Sequence, residues 1–177
     1  MHKLKAPILI LAILLSGIST ISAQKKDKNA KKDEQFKEMT NLIESGHYLF
    51  TVQSVNPTGS RTIHTTTDYT LEANDSTYKA YLPYFGRAYQ ASYGGDGGIE
   101  FDASPENLEL TLKEKKRTIN IEFEIQAKND KYSCFLSVGS SGYSTLSINS
   151  NNRQPISYSG IVGPLKEKKE KKEEKEK

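Results

Sequence analysis

The sequence has one cysteine, Cys134, no tryptophan and three histidines. One cysteine excludes an intrachain disulfide framework and a cysteine-rich zinc site. Residues 7–15 form an apolar run of nine residues, which is too short to span a bilayer. No later run reaches membrane-spanning length either, which excludes a polytopic membrane protein. Collagen and solenoid repeats are also absent. These absences leave a small domain whose core depends on ordinary apolar packing.

The central part of the chain also lacks an excess of positive charge. Residues 36–165 contain 11 basic and 14 acidic residues, a net charge of −3. The sequence pI of about 8.8 therefore comes from the lysines near both ends. Because the central segment offers no basic face, we do not expect nucleic acid as a partner.

Residues 1–23 are typical of a secretory signal peptide. Lys3 and Lys5 form the positive start, residues 7–15 form the apolar centre, and cleavage after Ala23 fits the small residues there. The sole cysteine lies far from this point, so we do not expect a lipoprotein. We expect an exported protein, periplasmic or secreted, with no membrane span after signal removal.

Both flanks of the central segment are rich in lysine and acidic residues. Residues 24–35 predict a charged, disordered linker, and residues 166–177, which contain only lysine and glutamate, predict a disordered tail. The interpretation leaves residues 36–165 as a single β-rich domain.

Apolar periodicity divides this domain into one helix followed by strands. Phe36, Met39, Leu42 and Ile43 recur at helical spacing and predict a helix over residues 33–46. After that the period changes to two, with turn residues between the runs. The predicted inward rows are Tyr48, Phe50 and Val52; Tyr69, Leu71 and Ala73; Tyr78, Ala80 and Leu82; Leu108, Leu110 and Leu112; Ile119, Ile121, Phe123 and Ile125; Tyr132, Cys134, Leu136 and Val138; Leu146 and Ile148; and Ile156 and Tyr158.

This pattern predicts a mainly β fold. About eight short strands at hairpin spacing form a single antiparallel meander, curved or closed into a barrel, with one N-terminal helix that covers an end or an open face. Periodicity alone does not separate a barrel from an open sheet.

The most unusual segment is residues 78–102, where five of the ten tyrosines lie between Tyr78 and Tyr93. Pro83 and Gly86 interrupt the strand there, and four glycines surround Asp96. Aromatic rings beside glycine-rich backbone often form binding surfaces. The alternative is a structural crossover whose tyrosines cover the end of the barrel. The candidate ligand-binding residues are Tyr81, Tyr84, Phe85, Arg87, Tyr89 and Asp96.

Catalytic and metal-binding patterns are weak. No G-x-S-x-G motif is present, His47 and His64 have no metal spacing, and Cys134 lies in an inward row. The acids Asp96, Glu100 and Asp102 could serve a hydrolase or bind calcium, but the calcium-loop pattern is missing. A solvent-exposed strand face explains the positions of Glu100 and Asp102 equally well, without catalysis or metal binding. We therefore expect no cofactor and no metal, and a non-catalytic protein rather than an enzyme.

Three blocks carry a family resemblance: LPYFGRAY at 82–89, GGDGGIEF at 94–101 and NRQPISYSG at 152–160. Over roughly residues 36–162 the chain resembles a family of secreted Gram-negative bacterial proteins, the domain of unknown function family numbered 4251. The resemblance implies an exported protein with one β-rich domain. It implies no activity, ligand or catalytic residue.

The functional hypothesis is an exported, non-catalytic β domain. It would bind a small molecule, a glycan or an envelope protein through residues 81–102. The alternatives are a hydrolase that uses Asp96, Glu100 or Asp102, and a purely structural component of the envelope.

Overall fold

The computed structural model describes residues 18–89, 97–127 and 130–165, with side chains described from residue 28 onward. Within these residues the chain forms one antiparallel sheet of ten strands, two more than the meander predicted. The strands are β1 (His47–Pro57), β2 (Ile63–His64), β3 (Thr70–Asn74), β4 (Thr77–Leu82), β5 (Ile99–Ala103), β6 (Glu106–Lys113), β7 (Thr118–Gln126), β8 (Lys131–Gly139), β9 (Tyr143–Ser150) and β10 (Ile156–Pro164).

The strand order is β5-β4-β3-β1-β10-β9-β8-β7-β6, with β2 paired to β1. Most neighbours are consecutive in the chain, β1 and β3 are separated only by the short β2, and the one distant pairing is that of β1 with β10. The register of this pairing shifts between Val52 and Ser54. Gly160 lies opposite Val52, and a Cβ atom at position 160 would collide with the carbonyl oxygen of Thr51. The central pairing therefore needs glycine at this position.

The sheet curls until its two flanks face each other. The rings of Tyr78 and Phe123 lie 4.6 Å apart across the core, and those of Phe101 and Tyr132 lie 5.9 Å apart. Only Ser104 and Pro105 separate β5 from β6, although these strands lie at opposite edges. A link this short requires the edges to approach each other at one end. The predicted curved, barrel-like sheet is confirmed as a curled half-barrel.

Helix α1 (Ile18–Glu44) precedes the sheet and is longer than predicted. The predicted apolar stripe is confirmed, because Ile43 is buried and Phe36, Met39 and Leu42 pack against the core. The helix also includes residues 24–35, predicted as a disordered linker. Lysine, alanine and glutamine have high helix propensity, which a composition argument for disorder ignores. In the part of the chain that the structure describes, no helix has both the length and the apolar character of a membrane span.

Most of the predicted inward rows are buried. The rows of β4, β7 and β8 are buried along their whole length, as alternation on a half-wet antiparallel sheet requires. Two buried tyrosines meet inside, with the Tyr48 and Tyr78 hydroxyls 2.9 Å apart. Burial raises the pKa of both phenols, so both hydroxyls stay protonated and the hydrogen bond joins two neutral groups.

The predicted inward row on β6 is wrong about burial. Leu108, Leu110 and Leu112 are 50%, 41% and 40% exposed, and every residue of β6 is exposed. Leu110 lies opposite Ile121 and Leu112 lies opposite Ile119, so these two leucines do face the core side of the sheet. Alternation therefore identified the face correctly, but β6 is an edge strand and its inner face is only partly covered.

Candidate functional site

The side chain of Arg153 lies at the centre of a polar cluster at the end of the sheet. Arg153 follows the turn between β9 and β10 and is buried. Its Nη1 atom donates to the carbonyl oxygens of Gly97 and Gly98, each at 2.8 Å. The guanidinium also lies 5.1 Å from the centre of the Tyr84 ring, within the range of a cation–π contact. Arg153 thus links three separate parts of the chain.

The charge of Arg153 is balanced by a second buried residue, Asp130. Its Oδ2 atom lies 4.0 Å from Arg153 Nε and accepts a 2.6 Å hydrogen bond from the Ser150 hydroxyl. Its Oδ1 atom accepts from the Lys131 amide at 2.9 Å. Both carboxylate oxygens are thereby satisfied, which a buried charge requires.

Tyr84 joins this cluster to the tyrosine-rich segment. Its hydroxyl donates to the carbonyl oxygens of Arg87 at 2.8 Å and Gln154 at 3.1 Å, and burial raises the pKa of the phenol. The ring lies over Gly86, where a Cβ atom would stand 2.5 Å from the Tyr84 hydroxyl. Glycine at position 86 therefore lets the ring fold back onto its own segment.

Backbone hydrogen bonds fasten the same segment to the β9–β10 turn. The Tyr89 amide donates to the Asn152 carbonyl at 2.8 Å, and the Gln154 amide donates to the Arg87 carbonyl at 3.0 Å. Nearby, the Tyr158 hydroxyl donates to the Pro83 carbonyl at 2.9 Å inside the core. Residues 83–89 are held as a strap across the end of the sheet, and we call them the strap.

The structure separates the predicted site residues into two settings. Tyr81 lies on the outer face of β4, where its ring is 5.4 Å from that of Tyr69. Tyr84 is half-buried in the strap, whereas Phe85, Arg87 and Tyr89 lie on its exposed side. The predicted residue Asp96 lies outside the described residues. Whether these residues bind a ligand stays a prediction.

The sequence analysis missed Arg153 and Asp130 as members of this cluster. An arginine beside an Asn-Asn turn reads as a surface residue, and burial of its charge depends on contacts with residues far away in the chain. One signal was available, because Arg153 lies within the block at 152–160 that carried the family resemblance.

Two of the three candidate acids, Glu100 and Asp102, lie on an open surface, and Asp96 lies outside the described residues. Glu100 and Asp102 project from the outer face of β5, as the interpretation of a solvent-exposed strand face predicts, and Asp102 pairs with Lys79 at 3.5 Å. His47 contacts Asn74 and Asp75 at the exposed β3–β4 turn, each at 3.1 Å. Over the described ranges, no three His, Cys, Asp or Glu side chains are grouped as a metal site would require.

Cys134 is buried, as its inward row predicts. Burial raises the pKa of its thiol to about 12, so the thiolate that a nucleophile needs is almost unpopulated near neutral pH.

Two comparisons relate the chain to known proteins. The sequence profile described as "Domain of unknown function (DUF4251)" matches residues 30–162. The chain belongs to this family. Within DUF4251, a crystal structure of a family protein from Bacteroides eggerthii is similar, with a TM-score of 0.57 at 20% identity over 76% of this chain and 91% of that one. At that identity the likeness supports the fold alone. No curated protein matches the chain.

Proposed function

We propose that this DUF4251 protein is an exported, non-catalytic domain that binds a protein of the cell envelope through the exposed side of the strap and the neighbouring Tyr81. The observation that carries the proposal is the exposure of three large rings on one short stretch of chain. Tyr81, Phe85 and Tyr89 are 43%, 48% and 65% exposed.

The composition of this surface favours a protein over a small molecule. Tyrosine and arginine are, with tryptophan, enriched at the energetic centres of protein interfaces, and Arg87 is exposed between Phe85 and Tyr89. A tyrosine combines a large apolar face with a polar tip at a low cost in side-chain entropy.

The Arg153 cluster supports the proposal because it holds the strap in place. The backbone of the strap is fixed by hydrogen bonds to residues 152 and 154, and its Tyr84 ring is held beside Arg153. A surface whose backbone is already ordered loses little conformational entropy on binding, which favours affinity. Tyr84 and Arg153 therefore act as the scaffold, and the exposed rings act as the contact residues.

Site-specific photocrosslinking tests this assignment. Tyr89 is replaced by p-benzoylphenylalanine, and the full-length gene is expressed in a Gram-negative host that exports the protein. Tyr143 provides the matched control, because it is 66% exposed but lies on β9. We expect one discrete protein adduct from position 89, none from position 143, and a lower yield when Arg87→Ala is added.

Three outcomes contradict the proposal. They are no adduct from either position, the same adduct from both, and an adduct whose added mass is that of a glycan or a small molecule. The circular dichroism spectrum of each variant checks that the fold is retained.

The export part of the proposal rests on the signal-like residues 1–23. We expect intact-mass analysis of periplasmic or secreted material to give a chain that starts at Gln24 or within a few residues of it. Cytosolic protein that retains Met1 would contradict export.

A further inference from the structure

Strand β6 leaves an apolar edge of the sheet without a neighbour. One side of the strand pairs with β7, and the other side meets no strand among the residues that the structure describes. Natural proteins protect such edges with prolines, charges, β-bulges or short strands, and β6 has an irregularity only at its N-terminal end, between Glu106 and Glu109. The stretch from Glu109 to Lys113 pairs regularly with β7, contains no proline, and directs Leu110 and Leu112 to the inner face.

We propose that this edge is an interface between two copies of the chain. The β6 strands of the two copies pair antiparallel about a two-fold axis through Thr111, and the two sheets become continuous. This register places Leu110 opposite Leu112 of the second copy, and Glu109 opposite Lys113 of the second copy. Such an interface is isologous, the commonest symmetry of soluble dimers.

Charge on the outer face favours this register. Glu109 lies directly opposite Glu122 on β7, and like charges at directly opposed positions are destabilising. The neighbouring Glu124 is compensated by Lys131 at 3.0 Å and by the Asn107 amide at 2.6 Å. Among the described residues, neither Glu109 nor Glu122 has a basic side chain within ion-pair distance. Lys113 of a second copy would supply that charge beside the pair.

The apolar face gives a second, independent reason. Leu110 and Leu112 point to the core side, but 41% and 40% of their surfaces stay exposed in one copy. In the paired arrangement, each Leu110 lies beside a Leu112 from the second copy, about 5 Å away between Cβ atoms. Cross-strand apolar pairs of this kind stabilise a sheet, so pairing covers surface that a single copy leaves wet.

The two ends of β6 limit the pairing to its central residues. The register with β7 shifts between Glu106 and Glu109, and Asn107 has a φ of 52°. At the other end, the 3-10 turn Glu114–Lys116 leaves the strand direction. These irregularities prevent extended edge-to-edge aggregation and leave five residues from each copy for the pairing, which the two-fold axis closes as a dimer.

A charge-swap experiment tests both the interface and its register. The dissociation constant of the purified mature protein is measured by sedimentation equilibrium for the wild type, for Glu109→Lys, for Lys113→Glu and for the double variant. We expect a dimer for the wild type. Each single variant places like charges opposite each other twice per dimer, so we expect about tenfold weaker association. The double variant restores opposite charges and should return to within about threefold of the wild type.

Lys37→Glu is the matched control, since Lys37 is exposed on α1 and the substitution changes the net charge by the same amount. It should leave the dimer unchanged. The proposal is overturned if the wild type stays monomeric at high concentration, if the double variant stays as weak as the single ones, or if Lys37→Glu weakens the dimer equally. A single cooperative melting transition in each variant confirms that the variants are folded.

Discussion

Strands β6 and β7 belong to one hairpin and have the same alternation of apolar and polar residues, yet they end in different environments. Ile119, Ile121, Phe123 and Ile125 of β7 are buried, while the leucines of β6 are exposed. The difference lies in what stands on the other side of the core, because β7 faces β4 through the contact of Phe123 with Tyr78. Alternation in a sequence thus specifies which face points inward, whereas coverage of that face depends on the rest of the fold.

The largest contrast is expected in thiol reactivity. A Leu110→Cys variant that keeps Cys134 has one thiol on the exposed edge strand β6 and one in the buried core. Because burial raises the pKa of Cys134 to about 12, its thiolate fraction at pH 8 is about a thousandfold below that of an ordinary thiol. We expect Ellman's reagent to label one thiol fast and the other very slowly at high dilution. Two equal rates in the native protein would contradict the contrast, and denaturant should make both fast.

Removal of the central ring of β7 is expected to have the largest effect on stability. Phe123→Ala deletes a buried ring and its contact with Tyr78, so we expect a loss of about 3–5 kcal/mol in the free energy of unfolding. Its neighbour Glu122, on the outer face, is the control, and Glu122→Ala should change stability by no more than about 0.5 kcal/mol. Denaturant melts measure both values, and equal effects would mean that the register is wrong.

The third comparison uses two residues that lie opposite each other on β6 and β7, and it includes the smallest expected loss of stability. Ile121 and Leu110 are directly opposed on the same face and differ in burial. We expect Ile121→Ala to cost about 2–5 kcal/mol, and Leu110→Ala to cost less than about 1 kcal/mol because its side chain is already partly hydrated. The melts are run well below the concentration at which dimers form. A large loss for Leu110→Ala would show that the inner face of β6 is covered after all.

Much of the sheet was predictable because its determinants are local. The rows of β4, β7 and β8 follow from period-two alternation, and the change of direction between β3 and β4 follows from the turn-forming pair Asn74-Asp75, with Asp75 at a φ of 52°. The exposure of Leu110 was not predictable in this way, because it depends on which strands stand across the core. Sequence alone also gave no sign that α1 begins before residue 33, since its first turns carry no apolar stripe.

The candidate site shows the same difference between local features, which the sequence reveals, and long-range contacts, which it does not. The unusual composition of residues 78–102 pointed to the strap, and Tyr84, Arg87 and Tyr89 do lie together beside the β9–β10 turn. The roles within it were not predictable, because Tyr84 is held by Arg153 and Gln154, about 70 residues further along the chain. A buried arginine is recognised only when its carbonyl and carboxylate partners are known.

The pairing of β1 with β10 has a consequence for the order of folding. In every other strand pair, the paired residues are at most 27 positions apart in the chain, so β1 to β5 and β6 to β10 can each assemble from contacts of much shorter range. The central pairing joins residues such as Tyr48 and Pro164, and its loop-closure entropy is the largest in the domain. We therefore expect the two series to form first and the β1–β10 seam to close last, in the slow step that sets the folding rate. The close approach at Gly160 makes that step sensitive to a single methyl group.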